Sequence, residues 1–198
     1  MNNCSTEEKV RSIKQSFRLY MNGETAASLK EKGLEYKICW GVSLQHLQEI
    51  AAEYGKDSEL AEELWKSKVR ECKLLAILTY PQEQFSEQAA YRWLDDIDNQ
   101  ELAEQLVFYI LRNVPYSKSL ALKLLQSSRR IHLLCAFNLL GRLFMSHVCL
   151  DDDETEAYHE KTKECLSGND MALKHAATNS LTKYEEYTNG NTDKGITE

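Results

Sequence analysis

Lys68, Arg70 and Lys73 fall within about one and a half helical turns of each other, and Arg129, Arg130 and Arg142 recur on a later segment. Cations at such spacing suit a nucleic-acid backbone, whose phosphates they neutralise and position. Ser127-Ser128-Arg129-Arg130 adds hydroxyls and the free backbone N–H groups of a helix start, a seat for a phosphate. Both groups have plain structural counterparts. The first can be a surface cluster paired with Glu63 and Glu71, and the second a capped, solvated helix start. A candidate acid, Glu104, shares a helix face with Glu101 and Phe108, opposite an apolar stripe; a solvated glutamate fits that position as well.

Other chemistries find no foothold. His46, His132, His147, His159 and His175 are scattered, and no His/Cys spacing matches a zinc site, so no metal or cofactor is expected. No G-x-S-x-G, phosphate-binding P-loop or G-x-G-x-x-G is present. None of the 6 cysteines forms a C-x-x-C pair, and the first twenty residues are charged and polar. Reduced thiols in a cytoplasmic protein are therefore expected. No apolar run approaches the roughly 20 residues a membrane span needs. The net charge of −7 gives no bulk attraction for nucleic acid, so such binding needs a local basic face.

The elements that must carry these residues are helices. With 42% hydrophobic residues, 2 prolines and 8 glycines, the 198-residue chain shows helical periodicity nearly throughout. Leu60, Leu64 and Trp65 line one helix. Val69, Cys72, Leu75, Ala76 and Leu78 line the next, with Ser67 as its cap. Trp93 is also a core position. Ser5 with Glu8 and Asp98 with Glu101 read as capping boxes. Residues 36–43 are the one extended stretch, and Asp151 to Glu154 reads as an acidic loop. A frayed tail is expected over 188–198, leaving 1–187 as a single domain.

Neither helix of a pair can bury its apolar stripe alone. The cap-like residues Ser67, Asp98 and Ser128 open the second helix of successive pairs, 31 and 30 residues apart. That period predicts an all-α, right-handed α-α superhelix of HEAT-like, armadillo-type helix pairs. Second helices tend to be basic and first helices acidic, so the inner face of such a stack is the expected partner surface.

Gly41-Val42-Ser43 followed by Leu47 and Ile50, then Glu63-Leu64-Trp65 with Arg70-Glu71 and Ala76, and a last pair with Leu173, Ala176, Leu181 and Tyr184, resemble the DNA alkylation repair family, the HEAT-repeat alkylpurine DNA glycosylases of the AlkD type. The likeness covers roughly residues 15–187. It implies duplex DNA on a basic concave face, release of cationic alkylated bases, a catalytic aspartate, aromatic walls and an arginine on phosphate. This sequence departs from that pattern. The aspartate position falls on Gln105, the first tryptophan on Gln100 or Glu101, the arginine near Leu134 and the last tryptophan on Asn179. Glu104 is the nearest acid, Phe108 and Tyr109 are candidate walls, and His175 lies where the family tends to place a basic residue facing DNA. The expectation is a DNA-binding, alkylation repair-like monomer in which Glu104 would carry any excision. The alternative is a non-catalytic scaffold whose groove holds a protein.

Overall fold

A computed structural model of the 198-residue protein describes residues 5–192. Among them are eleven α-helices, two short 3-10 turns and one isolated parallel bridge, Ile38 to Val69. The all-α expectation is met. The chain divides between Ser86 and Glu87 into two compact units.

The first unit holds α1 (Thr6–Tyr20), α2 (Gly23–Glu31), α3 (Leu44–Tyr54), α4 (Ser58–Trp65) and α5 (Arg70–Thr79). Ser5 and Glu8 form the expected capping box. Helix α5 packs on both α3 and α4, and α1 packs on α4. The apolar side chains that meet there, including Phe17, Leu47, Leu64 and Leu75, are fully enclosed, and Trp65 is core as its stripe predicts. Each such side chain contributes about 1.5–3 kcal/mol by leaving water.

The turn before α3 is tied down by a buried ion. Gly41 has φ +72°, and a Cβ there would lie 2.0 Å from the carbonyl oxygen of Asn22. Only glycine fits both the left-handed backbone and the close approach. The backbone N–H groups of Trp40, Gly41 and Val42 donate to the carboxylate of Glu71, which is fully buried at the start of α5.

The second unit holds α6 (Glu87–Asp95), α7 (Gln100–Tyr109), α8 (Ser117–Leu125), α9 (Arg130–Met145), α10 (Asp152–Ser167) and α11 (Met171–Thr192). Helix α9 is its spine. It packs on α7, α8 and α11, while α10 packs on α8 and α11. Eleven of its sixteen residues are buried, so its apolar positions run almost all round. Of the five it leaves unburied, Arg130 and His132 lie in its first turn, and Asn138, Arg142 and Met145 follow at helical spacing. Gly141 faces Ser180 of α11, where a Cβ would make an ordinary van der Waals contact at 3.5 Å with its Cα. Beside it Tyr158 is enclosed between Phe137, Phe144 and Tyr184, and its hydroxyl donates to Ser180 Oγ at 2.9 Å.

The starts of α5, α7 and α9 fall on Arg70, Gln100 and Arg130, thirty residues apart each time. The period read from the sequence is present, but its caps are not the expected ones. Ser67 accepts from the Val69 N–H, and α5 begins after Val69 with no side-chain cap. Asn99, not Asp98, caps α7 by accepting from the Leu102 N–H. Ser127, not Ser128, turns the chain into α9 by accepting from the Arg129 N–H. In each case a small polar residue bends the approach, and the helix starts one to three residues later than its hydroxyl or carboxyl suggests. The acidic stretch is not a loop. Asp151 forms a capping box with Glu154, and Asp152–Glu154 make the first turn of α10, where negative charge is favoured by the helix dipole. Helix α11 continues past Tyr187 to Thr192, through residues expected to fray. The rest of that tail lies outside the described residues.

Candidate functional site

The basic residues picked out in the sequence meet different fates. In the first unit Lys68 is exposed in the turn before α5. Arg70 is only 4% exposed. Its guanidinium donates to the Val42 carbonyl at 3.0 Å and to Glu71 at 3.2 Å. Its expected place on a DNA groove is therefore corrected: Arg70 is a bolt between α5 and the Gly41 turn. A buried carboxylate needs a cation and donors beside it, and Arg70 meets that need. Lys73 places its ammonium 4.1 Å from the centre of the Trp65 ring.

In the second unit Arg129 pairs with Asp95, and Arg130 Nε lies 2.5 Å from Asp170. Both pairs are largely exposed, so they are weak, and an incoming polyanion can compete for them. His132 stands beside the first pair. Its Nδ1 lies 3.0 Å from Ser127 Oγ, and its other ring nitrogen is enclosed without a hydrogen bond. Burial and the neighbouring Arg129 push its pKa down, against the pull of Asp95. His175 is exposed, 3.0 Å from the amide of Asn179.

Arg142 alone of the predicted cations lines a recess with the predicted acid positions. Glu104, Gln105 and Phe108 of α7 face Asn138 and Arg142 of α9 around a space of about 180 Å³. A second recess of about 410 Å³ continues past Asn138 and Arg142 to Asn179 and Lys183 of α11. Asn138 and Arg142 of α9 thus line both. Glu104 is turned along its own helix, accepting from the Gln100 amide at 2.6 Å. Gln105 is half-buried, and its carbonyl oxygen is enclosed without a hydrogen-bond partner. Arg142 is half-buried, with no carboxylate in ion-pairing reach among the described residues. Its guanidinium carbon lies 5.0 Å from the centre of the Phe108 ring, and that of Arg112 lies 4.3 Å from the same centre.

This arrangement can hold an acceptor or an anion. The residue best placed in the recess is a neutral amide, and the nearest carboxylate is spent on Gln100. Arg112 and Asn138 were not anticipated. Arg112 follows Phe108 by one helical turn, a spacing that places the two side chains together. Asn138 gave no signal beyond its place on the polar stripe of α9. No group of His, Cys, Asp and Glu among the described residues is arranged to hold a metal ion. No helix among them is long and apolar enough to cross a membrane.

The model of a family described as DNA alkylation repair enzyme matches residues 13–139. Among solved structures the fold is similar, with TM-score 0.78 and 18% identity, to a protein described under "a new family of proteins related to the HEAT-like repeat DNA glycosylases with affinity for branched DNA structures". The match covers 93% of this chain and 79% of that one, and it identifies the helix pairs as HEAT-like repeats. No curated protein gives a significant sequence match.

Proposed function

The chain belongs to the DNA alkylation repair enzyme family, and from that premise we propose that it binds DNA through the α7–α9–α11 face of its second unit without excising bases. One observation carries this reading. The half-buried Arg142, without an acid of its own, shares a recess with the neutral Gln105 at the position where the family resemblance expects a catalytic aspartate. Excision of a cationic base is helped by a preorganised anion aimed at the charge growing on the sugar. An amide beside an arginine supplies no such anion, whereas both can donate hydrogen bonds to DNA. Glu104 carries the only carboxylate on the recess, and its bond to Gln100 holds it along α7.

The structural relative's described affinity for branched DNA directs the choice of substrate. Anisotropy titrations of a labelled three-way junction and of a linear duplex of equal length, across a salt series, test the proposal. Binding that falls steeply with salt is expected for both, and tighter for the junction. An alkylbase-release assay on methylated DNA, with wild type and Glu104→Gln, is expected to give no release from either. Release by wild type that is lost in the variant would overturn the non-excising reading and make Glu104 the acid.

A second reading rests on the engagement of Arg70, Arg129 and Arg130 by acids and on the net charge of −7. In it the face is a protein-interaction surface. Absence of DNA binding at physiological salt, together with a stoichiometric protein partner on affinity purification, would favour it.

A further inference from the structure

Arg112 and Arg142 come from different elements, the 3-10 turn Leu111–Asn113 and helix α9, yet both guanidiniums stand against the ring of Phe108. Neither has a hydrogen bond or ion pair to any described residue. Arg129 and Arg130 of the same unit have each found a carboxylate. With both carbons within 5.0 Å of one ring centre, the two charges are separated by no more than on the order of one Debye length at physiological salt. Water alone therefore screens their repulsion incompletely. The electron-rich face of an aromatic ring attracts each cation and holds it in place. It consumes none of their N–H donors, which stay available to oxygen. On the same recess the enclosed Gln105 carbonyl and the Asn138 amide carry no charge, and the one carboxylate, Glu104, accepts from Gln100 and pairs with neither arginine.

We infer that Arg112, Phe108 and Arg142 form a clamp for one phosphodiester group of bound DNA, with Phe108 as the spacer that sets the distance between the two cations. The inference rests on the DNA-binding reading and adds to it Arg112, which the sequence pattern did not single out, and a defined ligand group. An anion seated there relieves the repulsion, and guanidiniums bind phosphate oxygens through paired N–H groups, which a lysine cannot do. No bond is made or broken; the contribution is to position the backbone.

The test is the slope of log affinity against log salt for the labelled junction, with wild type, Arg112→Gln, Arg112→Lys and Arg142→Gln. Each neutralised phosphate contact contributes about 0.9 to that slope on a duplex. The two arginines share one phosphate, so the double variant Arg112→Gln/Arg142→Gln is expected to flatten it by about 0.9 and each single variant by a part of that. Arg112→Lys keeps the slope and binds more weakly. Arg112 is exposed, so its variants should melt with wild type, which separates binding from folding. A slope and affinity unchanged in Arg112→Gln, while wild type binds, would overturn the clamp and leave the DNA-binding reading standing. Failure of wild type to bind any DNA would overturn that reading itself. Saturable binding of inorganic phosphate to wild type that is lost in Arg112→Gln and Arg142→Gln, while junction affinity and slope stay unchanged, would mark the pair as a site for free phosphate, overturning the DNA assignment.

Discussion

Glu71 Oε1 accepts the backbone N–H of Gly41 at 3.0 Å, across thirty residues of chain. That bond joins the start of α5 to the turn that begins α3, and it explains two features that look unrelated in the sequence. Gly41 is required because the backbone passes so close to Asn22, and Glu71 is required because the turn leaves N–H groups pointing inward.

Replacing either end should cost folding stability. Glu71→Ala leaves the donors of Trp40, Gly41 and Val42 and the buried Arg70 without their acceptor. A loss of about 3–5 kcal/mol in urea unfolding is expected, since an uncompensated buried cation remains. Gly41→Ala forces a left-handed residue into Asn22, and a loss of about 2 kcal/mol or more is expected. Equal urea midpoints for wild type and Glu71→Ala would contradict the anchoring role.

Arg70 and Arg142 should separate cleanly. Arg70→Gln lowers the unfolding midpoint, because its guanidinium bridges Glu71 and Val42 inside the fold. Under conditions where the variant stays folded, its salt slope for DNA should match wild type. Arg142→Gln should do the reverse, with little change in stability and a flatter slope. Paired melting and anisotropy measurements on the two variants read both effects.

Stability should fall with acid in two windows. The His132 pKa is lowered, mainly by burial, so its neutral form is the one the fold favours. Its contribution is complete above the unfolded value of about 6.5 and is lost as pH falls through the lower folded value. Burial raises the Asp57 carboxyl, but the Leu60 N–H and the Lys9 ammonium more than reverse that, and its pKa is lowered. Asp170 is lowered in the same way by Arg130 and the Leu173 N–H. Their contributions are complete above about 3.9 and vanish below it as each carboxylate is protonated. His132→Gln should remove the first decline and Asp57→Asn should shrink the second, as followed by thermal midpoints across pH.

Thiol labelling should report the fold. Cys149 is exposed and should react with iodoacetamide in the native protein. The thiol of Cys135 is fully enclosed on α9 and pushed up to about 12 by burial, so it should stay unlabelled until the chain unfolds. Mass spectrometry of peptides labelled under native conditions checks this, and early modification of Cys135 would contradict the packing of α9 on α7.

Helix content, the thirty-residue period and the core positions Leu64, Trp65 and Trp93 are legible in the sequence, because apolar side chains repeat with the pitch of the helix that must bury them. The Ser5 cap of α1 is legible to the residue, whereas those of α5, α7 and α9 are legible only to within a few residues. Several nearby hydroxyls and carboxyls compete for the same few N–H groups at Ser67, Asp98 and Ser128, and backbone geometry chooses among them.

Which charges remain available for a ligand was not legible at all. Arg70 and Arg142 look alike along the chain, each a cation on a mostly apolar helix. One is enclosed by the Gly41 turn, brought from another part of its unit, and by its neighbour Glu71; the other borders a recess whose one carboxylate, Glu104, is bonded to Gln100 instead. That difference depends on which surfaces meet when helices pack, and pairing over such separations leaves no periodic mark on the sequence. The chain by itself determined the helices and their register. Tertiary packing decided which of its arginines are bolts and which are free to grip.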